Sequence, residues 1–265
     1  MIMLKEFFDR EKIEYYAALS PEDITLWDRE KYARTEEQIG KIQSVLVFLI
    51  PYNAGQKTTN LSVYAQVKDY HLYLRRLSLR LGEYLEEKGS TVRFRGFADS
   101  SPLAERETAL AAGLGVMGEN GLLIHPKYGS FFFIGAFFFT EPLMPHTAKQ
   151  EPKGCPSCGA CKKACPTGAV TDPKREKCLS LISQKKNRTP EEDELLKAAD
   201  CKWGCDLCQN ACPMNQNAAL TPIPFFREDH IESLTLDVAE MPKEEFLSRA
   251  FSWRGREILR KNLKQ

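Results

Sequence analysis

All nine cysteines of this 265-residue chain lie between Cys155 and Cys212. The first run has the spacing C-x2-C-x2-C-x3-C-P and comprises Cys155, Cys158, Cys161 and Cys165. The second run has the spacing C-x3-C-x2-C-x3-C-P and comprises Cys201, Cys205, Cys208 and Cys212. Cys178 stands between the two runs. Thiolates this densely spaced are typical of metal centres, and metal–sulfur bonds then determine the path of the segment.

Three kinds of chemistry compete for this pattern. Structural zinc sites usually take two separated ligand pairs rather than four thiols in one short run. Disulfides need an oxidising compartment, and the N-terminal segment 1–9 lacks the pattern of a signal peptide. In bacterial ferredoxins, three closely spaced thiolates bind one cubane, and the cysteine before proline binds the other. The spacing therefore predicts two [4Fe–4S] clusters with one cysteine to spare, and by itself it favours Cys201 over Cys178 as the eighth ligand.

Composition sets few further limits. With 37 Lys and Arg against 36 Asp and Glu, the net charge is +1, which gives no overall basic surface for nucleic acid. The most apolar run, Phe131–Phe139, is too short to span a bilayer and predicts a buried strand. We therefore expect a cytoplasmic protein that does not contact a membrane.

The first half of the chain indicates an α/β layer. Residues 1–40 predict two or three short helices. The continuous apolar run Ser44–Tyr52 predicts a central strand that is buried on both faces. One long helix is predicted over Val63–Lys88, followed by a strand over Thr91–Phe97. Strand, helix and strand in this order are typical of an α/β unit.

Asp99 follows the second strand and leads into a helix that is predicted from near Pro102 to Ala112. Acids at the ends of strands are common in the active sites of α/β folds, but an acid at this position can also cap the helix. The glycine-rich segment Gly113–Gly121 is either a helix cap or a loop that lets a large cofactor approach the backbone. It is not a P-loop, because no Gly-Lys-Ser/Thr follows.

Turn and cap signals predict the remaining elements. Leu122–His125 and Gly129–Phe139 predict a hairpin, and residues 140–154 predict a linker that contains prolines. Between the cysteine runs, Thr189 is expected to cap a helix that begins with Pro190. The segment after the second run is expected to be helical. It ends in a basic stretch that either forms a solvated helix face or contacts an acidic partner.

Several of these segments resemble blocks of one family, the epoxyqueuosine reductases, which are cobalamin-dependent iron–sulfur enzymes of queuosine biosynthesis in transfer RNA. The resemblance covers nearly the whole chain. The blocks that carry it are Lys68–His71, Asp99–Arg106 with the pattern Asp-x-x-Pro-x-x-Glu-Arg, Gly113–Gly118, Leu122–Ile124, Gly129–Ser130, Cys178–Ser183, Gly204–Gln209 and Phe246–Asn262.

The resemblance implies an α+β protein in three parts. These are a cobalamin-binding α/β domain over residues 1–148, a ferredoxin-type domain with two [4Fe–4S] clusters over 149–217, and a helical basic tail over 218–265 that packs on the first domain. Full-length members continue into a helical-repeat domain that helps to grip the transfer RNA, so a short form is expected. The anticodon arm of transfer RNA is the implied substrate, with an external ferredoxin or flavodoxin as electron donor and a monomer as the implied state.

The resemblance also implies roles for particular residues. Asp99 would donate a proton, and Arg106 would lie near it and near the substrate. An aspartic acid is protonated near neutral pH only when it is buried, here beside the apolar face of the cofactor. The residues implied in cobalamin binding are Tyr70, His71, Asp99, Gly118, Asn120, Leu123 and Ser130. One cluster would be bound by Cys155, Cys158, Cys161 and Cys212, and the other by Cys165, Cys178, Cys205 and Cys208, with Cys201 left as the spare thiol.

Some positions depart from the family pattern. Ala111 stands where the family usually has arginine and Glu119 where it usually has lysine, so the expected pocket loses positive charge. Binding of the anticodon arm would then fall to the basic tail and to Lys162, Lys163, Lys185, Lys186 and Arg188. Two alternatives stay open: a related cobalamin iron–sulfur reductase of a small molecule, and an electron carrier with an empty pocket.

Overall fold

A four-stranded antiparallel sheet organises the computed structural model, which describes residues 4–143 and 154–264. The strands are β1 (Tyr16–Leu19), β2 (Ser44–Pro51), β3 (Phe94–Ala98), β4 (Val116–Met117), β5 (Leu123–Ile124) and β6 (Phe132–Phe139). The order in the main sheet is β1–β2–β6–β3, and every neighbouring pair is antiparallel. β4 and β5 form a separate two-stranded ladder.

Helices surround this sheet and continue through the cysteine-rich half. They are α1 (Lys5–Glu11), α2 (Arg29–Ile39), α3 (Val63–Gln66), α4 (Tyr70–Glu87), α5 (Glu105–Ala111), α6 (Ala160–Ala164), α7 (Leu179–Ile182), α8 (Pro190–Ala198), α9 (Leu207–Asn210), α10 (Leu236–Glu240), α11 (Lys243–Leu247) and α12 (Arg256–Leu263). Short 3-10 turns occupy Pro213–Asn215, Pro224–Phe226 and Ala250–Arg254. Across residues 4–143 and 154–264, none of the helices combines the length and apolarity needed to cross a bilayer.

The strand β2 is buried along its whole length because helices cover both faces of the sheet. Successive strand residues point to opposite faces. Leu46 and Phe48 therefore pack in the core with α1 and α4, whereas Val45 and Val47 pack in a second core with α2 and α5. The prediction of a central strand buried on both faces is confirmed, and the chain is a mixed α/β protein.

Two predictions for the first 90 residues are wrong. Tyr16–Leu19 is a strand and not part of a helix, because it pairs with β2 while Tyr16 stacks on Phe8 at 4.7 Å between ring centroids. The long helix predicted over Val63–Lys88 is broken after Gln66. Asp69 starts α4 by accepting a hydrogen bond from the backbone N–H of His71 at 2.9 Å. This side-chain cap separates α4 from α3.

The predicted hairpin is also wrong, whereas the prediction of a helical C-terminal segment agrees with the structure. His125 and Gly129 bridge each other across the expected turn, but β5 then pairs with β4, while β6 enters the main sheet. The segment after the second cysteine run consists of short helices and 3-10 turns. Most of the predicted linker, with the domain boundary expected between residues 148 and 149, lies outside the described residues.

Two predicted caps are confirmed. Gly113 adopts a φ of 72° just after α5, and its N–H and that of Leu114 bond back to the carbonyls of Leu110 and Ala109. This is a helix-ending motif that glycine favours. Thr189 caps α8 with a reciprocal capping box to Glu192. The first glycine of the glycine-rich segment therefore has a local structural role.

The C-terminal segment packs on both halves of the chain. One core cluster joins Leu61 and Ala65 of the first half, Trp203 of the cysteine-rich half, and Phe251 and Leu259 of the tail. The indole of Trp203 donates a hydrogen bond to the hydroxyl of Tyr64 at 3.0 Å. These contacts hold the cysteine-rich half against α3 and thereby against the end of the sheet that carries Asp99.

Candidate functional site

Four thiols form a first group of cysteines. Burial raises the pKa of Cys212, and the nearby thiols of Cys155, Cys158 and Cys161 add to the rise. The same four residues line one small cavity together with Gly118 and other residues of the glycine-rich loop. The last cysteine of the second run thus lies with the first three cysteines of the first run, which is the crossed arrangement of bacterial ferredoxins.

The other four thiols form a second group. Burial raises the pKa of Cys208 to about 12, and the thiols of Cys205, Cys178 and Cys165 add to this rise. Within the described residues, no set of His, Cys, Asp and Glu side chains is close enough to hold a single metal ion. That spacing is compatible with a cluster, because each thiolate of a cubane binds a different iron and the thiolates stand farther apart.

Cys201 is set apart by its own contacts. Its thiol donates to the carbonyl of Gly204 at 2.7 Å, and the residue is buried in an apolar cluster with Leu179, Ile182 and Leu196. Burial raises the pKa of Cys201 as it does that of Cys208, so this shift does not separate the two thiols; their contacts do. The geometry therefore groups Cys178 rather than Cys201 with the second set; which thiols bind iron stays a prediction.

Asp206 fastens the second thiol group to the first half of the chain. Its carboxylate accepts from the hydroxyl of Ser62 at 2.5 Å and from the backbone N–H of Val63 at 2.7 Å. Nearby, Gln209 donates to the carbonyl of Ser130 at 2.8 Å. Sequence analysis assigned no role to Asp206 or Gln209, although both lie in the quoted block Gly204–Gln209.

A large cavity of about 730 Å³ lies next to the second thiol group. Its lining includes the thiols of Cys178, Cys205 and Cys208. It also includes five of the residues predicted to bind cobalamin: Tyr70, His71, Asp99, Asn120 and Ser130. A smaller cavity of about 180 Å³ shares Tyr70, Asp99 and Ser130 and adds Leu123, Glu105 and Arg106. Of the predicted pocket residues only Gly118 is elsewhere, because it lines the cavity of the first thiol group.

Asp99 stands where the two cavities meet. Its φ of 63° is left-handed, which is uncommon for a residue other than glycine. Asp99 is exposed to the cavity, whereas burial was expected for a proton donor. The helix-cap alternative is wrong, because α5 begins at Glu105 and has no side-chain cap. Burial raises the pKa of the Tyr70 phenol, and the nearby carboxylate of Asp99 raises it further.

Arg106 lines the small cavity with Asp99, but its charged end is bonded to the backbone. Its guanidinium donates to the carbonyl of Gly121 at 2.6 Å, and the side chain is half exposed. Arg175, from the cysteine-rich half, donates to the carbonyl of Asn120 at 2.5 Å. Two arginines therefore hold the loop of Asn120 and Gly121 from opposite halves of the chain. Arg175 was missed because it belongs to no recognisable motif.

The cavity walls fit a large, flat cofactor with polar edges. Six aromatic residues supply apolar surface: Tyr52, Tyr64, Tyr70, Phe132, Phe133 and Trp253. Within the part of the chain that the structure describes, the buried side-chain amide nitrogen of Asn120 has no hydrogen-bond partner. Buried donors are normally paired. This donor could therefore form a hydrogen bond with a carbonyl oxygen of a cofactor, including one in an amide group.

Several basic residues predicted to contact RNA already have acidic neighbours. Lys162 pairs with Glu119 at 2.7 Å, and Lys185 pairs with Glu192. The prediction for Arg188 is wrong: its side chain is 0% exposed and pairs with Asp193 at 2.6 Å. Lys163 and Lys186 are exposed. In the basic tail, Arg249 is buried, and Arg260 forms two bonds to Glu240 at 2.5 and 2.7 Å.

Comparison with known proteins matches both halves of the chain. Residues 154–215 match a 4Fe-4S double cluster binding domain, and residues 33–100 match the family model of the epoxyqueuosine reductase QueG. The epoxyqueuosine reductase of Escherichia coli is 35% identical over 192 residues, which cover 68% of this chain and 50% of that protein. That of Bacillus subtilis is 26% identical over 272 residues, covering 96% and 68%.

The fold agrees with these matches. A crystal structure of epoxyqueuosine reductase with an epoxyqueuosine-modified tRNA-Tyr stem loop superposes with a TM-score of 0.78 at 23% identity, covering 98% of this chain and 78% of that one. The chain spans about half the length of the relatives that it matches at 35% identity. The matched family model and the relatives at 35% identity show that this chain belongs to the epoxyqueuosine reductase family.

Proposed function

We propose that this chain reduces epoxyqueuosine to queuosine in transfer RNA, with two [4Fe–4S] clusters and cobalamin as its cofactors. The observation that carries the proposal is the cavity of about 730 Å³ with Asp99 in its wall beside the thiols of Cys178, Cys205 and Cys208. When bound, the clusters supply single electrons and cobalamin supplies a cobalt centre that reacts with the epoxide-bearing ring.

The thiol arrangement supports an order of the two cluster sites. Three cysteines of the second group line the large cavity, whereas none of the first group is among its lining residues in the described part of the chain. Cys158 of the first group is exposed. We therefore infer that the first group would hold the cluster that accepts electrons from an external donor, and that the second group would hold the cluster beside the cofactor. All nine cysteines are free, which suits a reducing, cytoplasmic location.

The chain supports the chemistry with side chains that orient and donate. Removal of the epoxide oxygen as water consumes two electrons and two protons. Asp99 reaches the cavity from the end of β3 and is placed to protonate the departing oxygen. Tyr70 and His71 begin α4 and line the same wall, with the His71 ring held by Asp69 at 2.9 Å. Asn120 offers its amide donor to a cofactor side chain.

This chain lacks two positive charges that the family pattern usually has near the pocket. Their absence does not favour a small-molecule substrate. Ala111 lies on the exposed end of α5 and outside the lining of both cavities beside Asp99. Glu119 is paired with Lys162 at 2.7 Å, so its negative charge is balanced. Arg175 lines the large cavity and brings a cation from the cysteine-rich half. A phosphate-bearing substrate thus still meets positive charge at this site.

A reconstitution experiment tests the proposal. The protein is loaded anaerobically with iron, sulfide and cobalamin, reduced, and offered either transfer RNA that contains epoxyqueuosine or the free epoxyqueuosine nucleoside. Mass spectrometry of the nucleosides measures the product. Queuosine from the transfer RNA supports the proposal. Conversion of the free nucleoside alone would indicate a small-molecule reductase, and failure to bind cobalamin would indicate an electron carrier.

A further inference from the structure

Glu105 is a second carboxylic acid at the site, beside Asp99. It is the first residue of α5, and it lines the cavity of about 180 Å³ together with Asp99, Tyr70 and Arg106. Its Oε1 atom is buried and has no hydrogen-bond partner among residues 4–143 and 154–264. No part of the proposed reaction has yet used this group.

The surroundings of Glu105 favour its protonated form. Half of the residues that line its cavity are apolar, namely Leu122, Leu123, Phe132, Phe133 and Ile134. A carboxylate oxygen without a donor in such surroundings is costly, so the group keeps its proton. Burial, followed by the negative charge of Asp99, raises the pKa of Glu105 to about 8, and the nearby backbone amide of Asp99 opposes only part of this rise.

The other polar groups of the cavity leave this proton in place. Arg106 lies next to Glu105 in the chain, but its guanidinium is turned to the carbonyl of Gly121 at 2.6 Å. Burial raises the pKa of Tyr70, so this phenol stays neutral. Asp99 lines the same cavity, and its charge acts on Glu105, so its carboxylate is a candidate to receive the proton. Ser130 contributes the only other side-chain hydroxyl of this lining, and it is held by Asn215 at 2.9 Å.

We propose that Glu105 stores the second proton of the reaction and passes it to Asp99 through the small cavity. This proposal rests on the proposed function, in which two protons are consumed while one carboxyl group can carry only one. After Asp99 has given its first proton to the departing oxygen, the O–H bond of Glu105 breaks and an O–H bond forms on the carboxylate of Asp99. That O–H bond of Asp99 then breaks as the oxygen takes this second proton and leaves as water. Glu105 then takes a proton from solvent, and no electrons move in the two transfers that involve Glu105.

Glu105 acts through Asp99 and is therefore a positioning residue of the proton path rather than a catalytic residue. Asp99 has a left-handed backbone with a φ of 63°, and both carboxyl groups line the same cavity. A role in folding alone would require only the shape of the side chain. A role in proton supply requires its acidity, and the two roles are separable by isosteric substitution.

The first readout does not depend on turnover. Infrared difference spectra of wild type minus Glu105→Gln should show the carbonyl stretch of a protonated carboxyl near neutral pH, and this band should fade as the pH rises through about 8. Glu37→Gln, which removes an exposed carboxyl of α2, serves as the control and should leave the band unchanged. Absence of the band from wild type overturns the proposal.

The second readout is the pH profile of queuosine formation in a single turnover. Glu105→Gln should slow the reaction by about tenfold or more and lose the decline that wild type shows above about pH 8. Glu105→Asp retains an acid and should restore that decline, which guards against a folding defect in the glutamine variant. A glutamine variant with the wild-type rate and profile overturns the role of Glu105. Wild type that shows the band but forms no queuosine contradicts the proposed function itself.

Discussion

Glu105→Gln is expected to remove a pH dependence from the stability of the protein. Burial and the charge of Asp99 raise the pKa of Glu105 from 4.5 to about 8. In the unfolded chain the carboxyl is ionised at neutral pH. The folded chain therefore binds more protons than the unfolded chain between these two values, and the free energy of unfolding falls as the pH rises through this window.

The size of this effect follows from the same values. Each pH unit over which the folded chain holds one extra proton changes the free energy of unfolding by about 1.4 kcal/mol. From about pH 6 to about pH 8 the folded carboxyl passes from protonated to half ionised, so wild type should lose roughly 2 kcal/mol. Glutamine has nearly the same shape and does not ionise. The variant should therefore become more stable relative to wild type by that amount over this range.

Urea unfolding of the reconstituted protein under anaerobic conditions measures the effect. Midpoints are compared at about pH 6, 7 and 8 for wild type, Glu105→Gln and the control Glu37→Gln. Wild type and the control should lose stability in parallel, while the glutamine variant at position 105 should lose roughly 2 kcal/mol less. A difference between wild type and Glu105→Gln that stays constant with pH would refute the protonated state of Glu105.

Three further predictions concern the thiols and their attachment. Cys201→Ser should retain about eight irons per chain by iron analysis, and Cys178→Ser should lose about half of them; the opposite pattern would reverse the assignment. Asp206→Ala removes the acceptor for Ser62 and Val63, so the free energy of unfolding should fall by about 3 kcal/mol in urea titrations; an unchanged midpoint would show that this anchor is dispensable. Arg175→Ala should weaken binding of the modified stem loop and flatten its salt dependence in filter binding; unchanged slopes would place the phosphates elsewhere.

The cysteines were the most informative part of the sequence. Their spacing predicted two cluster sites because a cubane requires thiolates at short, fixed intervals. The spacing alone favoured Cys201 over Cys178 as the eighth ligand, because Cys201 stands closer to Cys205 in the sequence. Tertiary packing separates them: Cys201 is buried against Leu196 and bonded to a backbone carbonyl, while Cys178 lines the cavity.

The sheet was predicted less completely. β2 was recognisable because a strand covered on both faces is apolar at every position. β1 was missed because four residues carry no clear period, and its conformation depends on pairing with β2. The break before α4 depends on the side chain of Asp69, which also suits the first turn of a continuous helix. Here long-range contacts override local preference.

Sequence patterns also revealed only part of the site, because they do not show contacts between distant segments. Asp99 was identified from its place after a strand and from the family resemblance. Glu105 stands in the same block, but its burial beside Asp99 becomes visible only when α5 packs on the sheet. Arg175 and Gln209 come from segments far away in sequence. Residues that are brought together by domain packing have no local signal.

The central claim is that Asp99 donates a proton to the epoxide of a transfer RNA substrate held beside the second thiol group. The most direct test compares wild type with Asp99→Asn, both loaded with iron, sulfide and cobalamin, in a single anaerobic turnover with epoxyqueuosine-containing transfer RNA. We expect both proteins to bind cobalamin and the RNA, but only wild type to form queuosine. Equal queuosine formation by the asparagine variant would contradict the claim.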